Sequence, residues 1–274
     1  MPGIKHIVAH VDGGARDAAV LTLSAALAGR FGAGLEAVFA KVPPFIAASS
    51  DGMVTPQIIE AQLAIYRKRA AAAKSALGAV QLAQGKPVWT EVDGMAGDAV
   101  IARARFADLA VLAQPAPEDS DTPSDYDTPA DVVMALGRPV LMVPYAGRFA
   151  DVGKRILVAW NGTRESARAF ADALPFLATA GVVTVLTVNP EGETGRMQAD
   201  LKRWLAGHGV KGETRVAHTH DIEVGDVLLS AAADMSADLI VMGAYGRSRL
   251  RELILGGATH SILRHMTAPV LMAH

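Results

Sequence analysis

Short apolar runs alternate with longer stretches in which apolar residues recur at helical spacing. In the first half the apolar runs are Ile4–Val11, Leu35–Val42, Pro87–Val92, Leu109–Ala113 and Val140–Val143. Apolar residues dominate these runs, which is typical of strands buried on both faces of a sheet. Between them, Ala15–Phe31 and Pro56–Leu77 are rich in Ala and Leu and predict helices.

The second half shows the same alternation. Its predicted strands are Ile156–Ala159, Val182–Val188, Thr214–His220, Leu239–Met242 and Val270–Ala273. Its predicted helices are Glu165–Ala178, Gly195–Gly207, Gly225–Ser236 and Thr259–His265. Strands that alternate with helices predict an α/β fold, in which a parallel sheet is covered by helices on both faces and the connections are right-handed.

The two halves also resemble each other in sequence. Lys5–Gly13 reads like Lys154–Gly162 at an offset of 149, and Ala107–Leu112 matches Ala237–Met242 at an offset of 130. The last strands, which begin at Pro139 and Pro269, keep the offset of 130. Such self-similarity predicts two tandem copies of one domain.

The domain boundary is predicted between residues 147 and 153, where two glycines separate the last strand of copy one from the restart at Lys154. The predicted domains are therefore residues 1–146 and 154–274. The fall in offset means that copy one holds about 19 more residues, most of them in Pro43–Tyr66. Whether this insertion forms a second pocket is open.

Composition narrows the function classes. Apolar residues make up 51% of the 274 residues, so the chain can bury a large core, and zero cysteines exclude disulfides, thiol catalysis and cysteine zinc clusters. The 26 basic and 28 acidic residues nearly balance, which argues against a nucleic acid as partner. No run of about 18 uncharged apolar residues occurs, so we expect no membrane partner and a cytoplasmic protein.

Candidate chemistry lies at the ends of the first and fourth strands, where an open parallel sheet binds its ligands. In copy two the fourth strand leads into Gly243-x2-Gly246-x9-Gly256-Gly257, followed by an apolar helix. Glycines let a backbone approach an anion closely, and a helix start offers unpaired N–H groups. Arg247, Arg249 and Arg251 add positive charge. The structural alternative is that these glycines only shape turns.

This glycine spacing, with Asp238–Gly243 before it and Ala268–Met272 at the end, resembles the universal stress protein family. The resemblance covers both copies and is most specific over Ala237–His274. It implies two doubly wound domains, each with a five-stranded parallel sheet in the order 3-2-1-4-5. It also implies a stress-response regulatory role, with ATP, with or without Mg²⁺, or a related adenine nucleotide at the switch point of the sheet in copy two.

The resemblance also assigns ligand contacts by position. Asn161, at the strand end formed by Ala159 and Trp160, lies near the ribose and base, and Val188 flanks the adenine. The ribose–phosphate path is lined by Met242, Gly243, Tyr245 and Gly246. The phosphates are held by Gly256, Gly257, Ala258 and Thr259.

Copy two departs from the family pattern at two positions. Asn161 replaces an aspartate, so its bond to a ribose hydroxyl lacks charge and should be weaker. Gly257 replaces the family's serine or threonine and removes one hydroxyl, and Thr259 is the residue that offers a replacement hydroxyl. Trp160 is bulky and either stacks on a base or obstructs it.

Copy one lacks the glycine pattern. Five acidic residues occur between Pro115 and Pro129, where a triphosphate would lie, and like charges there repel it. Asp12 remains at the end of the first strand. We expect no ATP in copy one.

Two function classes follow. One is a regulatory protein that binds an adenine nucleotide in copy two; the other is an interaction scaffold whose two sites are vestigial. No general base for hydrolysis is evident, so enzymatic activity is not predicted. The histidine pair His218 and His220 is placed on strand three and is a weak candidate for metal binding, so no metal site is predicted. The last strands are apolar sheet edges, which predicts that they pair within the chain and allows a homodimer.

Overall fold

The structure is a computed structural model and describes residues 3–42, 56–115, 129–246 and 257–274. The chain forms two compact units. The first is residues 4–132, and the second is residues 133–274 together with Gly3. Strands and helices alternate in each unit, as the hydrophobic pattern predicts.

In residues 4–132 four parallel strands are ordered β3-β2-β1-β4. The strands are β1 (His6–Val11), β2 (Gly34–Lys41), β3 (Val88–Asp93) and β4 (Leu109–Ala113). The helices are α1 (Asp17–Phe31), α2 (Pro56–Gly78) and α3 (Ala96–Ala104), and α4 (Pro129–Leu136) begins at the end of this unit. The central strand β1 is buried on both faces, with Ile7, Val8 and Ala9 fully enclosed.

Residues 133–274 form a sheet in the order β5-β10-β9-β6-β7-β8. Its strands are β5 (Val140–Val143), β6 (Arg155–Ala159), β7 (Val182–Val188), β8 (Glu213–Ala217), β9 (Leu239–Gly243) and β10 (Val270–Ala273). The helices are α5 (Arg164–Asp172), α6 (Leu174–Leu177), α7 (Thr194–Gly207), α8 (Val224–Asp234) and α9 (Ala258–His265). The five strands of the second copy thus have the order 3-2-1-4-5 and run parallel. This confirms the predicted α/β fold.

The last strands of the two copies pair. β10 runs antiparallel to β5, with Val270 opposite Met142 and Met272 opposite Val140. β5 belongs to the second compact unit together with its partner β10, and the division falls after residue 132. The two repeats, residues 1–146 and 154–274, remain a prediction.

Two element boundaries were predicted wrongly. The helix expected over Glu165–Ala178 is divided into α5 and α6 at Ala173, beside Pro175, which has no N–H to continue the helical ladder. Strand β8 ends at Ala217, so His218 and His220 lie beyond it and do not share a strand face. None of the helices formed by the described residues is long and apolar enough to cross a membrane.

An aspartate before the fourth strand of each copy anchors the start of the first strand. In the first unit Asp108 accepts hydrogen bonds from the backbone N–H groups of Lys5 (2.7 Å) and His6 (3.0 Å). In the second unit Asp238 accepts from the N–H groups of 153, 154 and 155 at 2.9–3.0 Å. The repeated Ala-Asp-Leu sequence therefore has a shared structural cause.

Candidate functional site

The carboxyl ends of β7, β6 and β9 lie along one edge of the sheet in residues 133–274. The chain leaves β6 for β7 on one side, while β9 borders β6 on the other, so strand order reverses between β6 and β9. Such a reversal opens a crevice at the carboxyl ends of the two strands. The predicted contacts Ala159 and Val188 end β6 and β7, half-buried, and Met242 is buried in β9.

The turn after β6 is held by side-chain caps. Exposed Asn161 accepts, through Oδ1, hydrogen bonds from the backbone N–H (3.2 Å) and the hydroxyl (2.8 Å) of Thr163. Thr163 in turn caps α5 by accepting from the N–H of Ser166 at 3.3 Å. Oδ1 of Asn161 is thus already engaged by two donors, so the contact left for a ribose hydroxyl is one donated by Nδ2.

A cavity of about 940 Å³ opens beside this turn, between α5 and α7 at the ends of β6 and β7. This volume is in the range of small-molecule sites. Its apolar lining is Trp160, Phe170, Val188, Met197, Leu201 and Trp204. Its polar lining is Asn161, Thr163, Thr187, Asn189, Glu191, Glu193, Arg196 and Asp200. An apolar enclosure with polar groups placed around it suits a partly aromatic, partly polar ligand.

Three aromatic rings make a continuous wall of this cavity. Trp160 contacts Phe170 edge-on with ring centroids 5.8 Å apart, and Phe170 stacks on Trp204 at 4.2 Å. Trp160 therefore lines the cavity instead of filling it. Its indole Nε1 is buried and, among the described residues, has no hydrogen-bond acceptor.

Gly243, at the end of β9, lies directly against the start of α5. A Cβ built on Gly243 would be 2.5 Å from both the carbonyl carbon of Glu165 and the backbone nitrogen of Ser166. Only glycine permits this approach of helix to strand. The close packing supplies a structural reason for Gly243 that differs from the turn expected by the alternative interpretation.

Gly246 has a carboxylate beneath it. A Cβ built on Gly246 would be 2.9 Å from Oε2 of Glu165 and 3.4 Å from Oγ1 of Thr163. Thr163 also lines the aromatic cavity, so it connects the cavity with the glycine turn. Glu165 therefore lies next to the predicted ribose–phosphate path.

The Glu165 side chain is only 6% exposed and is ion-paired with Arg164. Burial by itself raises the pKa of a carboxyl group, but hydrogen bonds from Arg164, from the backbone N–H of Glu165 and from Thr163 outweigh it and hold the pKa of Glu165 below its usual range. Glu165 is consequently a buried anion at neutral pH.

The remaining predicted contacts lie in the turn after β9 and at the start of α9. Tyr245 has φ +55°, and its N–H donates to Oγ1 of buried Thr259 at 3.3 Å. Gly257 is the N-cap of α9 and Ala258 its first residue. Gly256, like Arg247, Arg249 and Arg251, lies outside the described residues.

The predicted residues thus fall into two groups joined by Thr163. Trp160, Asn161 and Val188 lie at the cavity, whereas Gly243, Tyr245, Gly246 and Thr259 surround the turn after β9. Sequence reasoning missed the cavity residues on the two helices and also Glu165. Phe170 and Trp204 lie in predicted helices at the spacing typical of core residues. Only the folded structure shows that they border a cavity.

The corresponding turn in the first unit is closed. A Cβ built on Gly13 would lie 2.4 Å from the carbonyl oxygen of Arg69, so α2 packs directly on the turn after β1. The extra residues of copy one thus contribute to a helix of 23 residues, against 14 in α7. The acidic stretch 116–128 lies outside the described residues.

A buried carboxylate also occupies this turn of the first unit. Asp17 accepts hydrogen bonds from the backbone N–H groups of Asp12 (3.1 Å) and Gly13 (2.9 Å). Burial raises the pKa of Asp17 from 3.8 to about 7, and the nearby charge of Asp12 adds to the rise. The two N–H groups oppose the rise without cancelling it.

This raised pKa predicts a loss of stability as pH increases. The unfolded chain releases the Asp17 proton near 3.8, whereas the folded protein keeps it until about 7. The folded state therefore binds more protons across this window, and the free energy of unfolding falls by at most about 1.4 kcal/mol per pH unit. Compared with the wild type, we expect Asp17→Asn to lose less stability in urea unfolding as the pH rises from about 4 to about 7. The exposed control Asp98→Asn should keep the wild-type profile, and an unchanged Asp17→Asn profile would contradict the assignment.

Within the described parts of the chain, His, Asp and Glu side chains form no cluster that could hold a metal ion.

The fold and crevice define a doubly wound α/β protein with a switch-point site in its second half. Residues 153–274 match the Universal stress protein family, so this half of the chain belongs to that family. A universal stress protein from Synechocystis sp. is 27% identical over 148 residues, which are 51% of this chain and 48% of the relative. The chain thus spans about half the length of this curated relative.

Solved structures match the whole chain. A universal stress protein from Archaeoglobus fulgidus has a TM-score of 0.73 at 13% identity, covering 98% of this chain and 95% of its own. A protein of unknown function from Pseudomonas aeruginosa has a TM-score of 0.60 at 16% identity, covering 98% and 92%. At these identities the likeness concerns the fold alone.

Proposed function

We propose that the C-terminal domain, residues 154–274, binds ATP or a related adenine nucleotide or nucleoside, and that the protein acts through this binding as a regulator in the stress response. The observation that carries the proposal is the aromatic cavity of about 940 Å³ at the ends of β6 and β7, whose lining residue Thr163 also lies next to Gly246 in the glycine turn after β9. Family membership of this half of the chain supports it.

In this proposal each part of the crevice takes one part of the ligand. The base lies in the cavity against Trp160 and Val188, where ring stacking and burial favour a planar heterocycle. The ribose lies at Asn161, and the phosphate groups, with or without Mg²⁺, pass Gly246 toward the N-terminus of α9. Residues 243, 245 and 257–259 shape that end of the site. We propose binding and not hydrolysis, since no side chain is assigned the role of general base.

An interaction scaffold without nucleotide remains the second candidate. Two observations favour it: Oδ1 of Asn161 is engaged inside its own turn, and the Glu165 carboxylate lies against Gly246. On this alternative the sheet pairing of β5 with β10 would serve to present surfaces to partners, including a second copy of the chain.

Calorimetric titration of the full chain with ATP, Mg²⁺–ATP and adenosine tests the proposal. Ala167 is exposed on α5 and lines the cavity, so Ala167→Trp should fill the cavity without disturbing the core and weaken binding by about tenfold or more. Ala171→Trp changes an exposed position on the same helix outside the cavity lining and should bind like the wild type.

The stoichiometry separates the candidates. About one ligand per chain, lost in Ala167→Trp alone, supports the C-terminal site. Two per chain would mean that the first unit also binds, against the closed turn at Gly13. No heat with any adenine ligand, and no nucleotide released when the purified protein is denatured, would refute binding and favour the scaffold.

A further inference from the structure

We propose that Glu165 sets the class of ligand accepted by the C-terminal site, so that adenine ligands with no phosphate or one phosphate bind more tightly than the triphosphate. This inference rests on the proposed function, because it concerns the same site. It narrows the proposed ligands from adenine nucleotides and nucleosides in general to those with little negative charge.

The position of Glu165 is the first argument. Its Oε2 is 2.9 Å from a Cβ built on Gly246, which places the carboxylate directly behind the surface that a phosphate chain would follow. The backbone of Glu165 is fixed as well, since its carbonyl carbon would be 2.5 Å from a Cβ on Gly243. The start of α5 therefore cannot move away from β9 unless the packing between helix and strand opens.

The second argument is that the carboxylate already uses the groups that would otherwise attract an anion. Glu165 is the second residue of α5 and takes hydrogen bonds from its own N–H, from Thr163 and from Arg164. A helix N-terminus favours negative charge, and here that charge belongs to the protein. A phosphate group that passes Gly246 on its way to α9 therefore has this anion beside its path, and α5 offers it no free donor at Glu165.

Arg164 does not cancel this effect for a ligand. Its side chain is 82% exposed, so its charge acts largely through water and salt, whereas the Glu165 side chain is 6% exposed. Charges in a buried environment act with several times the strength of charges in water. Of these two charges, the buried negative charge of Glu165 therefore acts more strongly at Gly246.

The first unit differs in this respect. There the carboxyl group of Asp17, on the first residue of α1, is buried and accepts from the N–H groups of Asp12 and Gly13 in the turn after β1. Glu165 instead lies against Gly246 in the turn after β9, so the inference concerns the second unit alone.

The test is a titration series of adenosine, AMP, ADP and ATP, at one salt concentration, against the wild type, Glu165→Gln and a control. Glu165→Gln keeps the shape of the side chain and removes its charge. Asp234→Asn removes one negative charge at an exposed position in the last turn of α8 and serves as the control. We expect the wild type to bind ATP about tenfold to a hundredfold more weakly than adenosine.

We expect Glu165→Gln to bind ATP about tenfold more tightly than the wild type does and to bind adenosine with unchanged affinity. The ratio of the two affinities should therefore shrink by about tenfold. Asp234→Asn should keep the wild-type order. The wild-type series needs no variant, so it can overturn the proposal even if Glu165→Gln folds poorly, whereas the comparison with Glu165→Gln assigns the order of binding to Glu165.

Wild-type protein that binds ATP more tightly than adenosine would overturn the inference and leave the proposed function standing; Arg247, Arg249 and Arg251 would produce that order if they reach the phosphates. The same affinity for adenosine and ATP in the wild type would also overturn it. If the wild type binds none of the four ligands, the proposed function itself is refuted, and the inference with it.

Discussion

Gly243→Ala is expected to lower the free energy of unfolding of the second unit by about 2–3 kcal/mol, a large loss for a change of one methyl group. The added Cβ would lie 2.5 Å from two backbone atoms of α5 and 2.9 Å from Cβ of Glu165. Backbone atoms cannot rotate away as a flexible side chain can, so α5 must separate from β9. Chemical denaturation of the full chain, followed by tryptophan fluorescence, measures the loss; Trp160 and Trp204 report on the second unit, and in a Trp89→Phe background they are the only tryptophans.

Gly195→Ala is the matched control in the same unit. Gly195 is the second residue of α7, and a Cβ built there meets no atom within 4 Å. Alanine favours a helix over glycine, so this variant should be as stable as the wild type or slightly more stable. Equal stability of the two variants would mean that the start of α5 yields easily, and it would remove the rigid frame on which the role of Glu165 depends.

The outcome at Gly243 also bears on the meaning of the glycine spacing. The sequence alone allowed two explanations, approach to a phosphate or a tight turn. The structure adds close packing of α5 on β9 at Gly243, while Gly246 has a carboxylate and a hydroxyl as its nearest atoms. A glycine motif can therefore persist for packing reasons, and titration with nucleotides is needed to show whether a ligand also uses it.

The sheet could be predicted because its signals are local and repeated. Runs such as Val182–Val188 and Leu109–Ala113 coincide with β7 and β4, since continuous apolar residues have few alternatives to a buried strand. The ends of elements were harder. Strand β8 stops at Ala217, because the chain then turns and the N–H of Thr219 donates to Asn189 at 2.8 Å, a contact between residues 30 positions apart.

The site was less predictable, because its properties arise from contacts between elements. Asn161 and Val188 could be placed from the strand ends. The role of Glu165 could not, since a glutamate in the first turn of a helix is ordinarily a solvated residue that favours the helix dipole. Only the packing of α5 against Gly243 and Gly246 buries it.

The second prediction with a large effect concerns Asp238. It tests whether the aspartate that recurs in the two halves of the chain stabilises the start of the first strand in each. Asp238→Ala should lower the free energy of unfolding of the second unit by about 2–4 kcal/mol, because three backbone N–H groups lose a charged acceptor at once. Gly153 is a buried residue, so water can least easily replace the carboxylate as the acceptor for its N–H group.

The repeat supplies the comparison variant. Asp108 accepts hydrogen bonds from two N–H groups at the start of β1. Asp108→Ala should therefore destabilise the first unit by less than Asp238→Ala destabilises the second. Asp238→Asn retains one acceptor oxygen and should fall between the wild type and Asp238→Ala. Urea unfolding and amide exchange at residues 153–155 and 5–6 measure these losses.

If Asp238→Ala proved no more costly than a surface substitution, water would be an adequate acceptor for these N–H groups. The recurrence of aspartate at 108 and 238 would then need a cause other than the anchoring of the first strand. The expected order, with alanine at 238 the most costly, would instead show that each copy keeps this residue to hold its central strand in register beside the fourth, the same two strands whose carboxyl ends frame the crevice in the second unit.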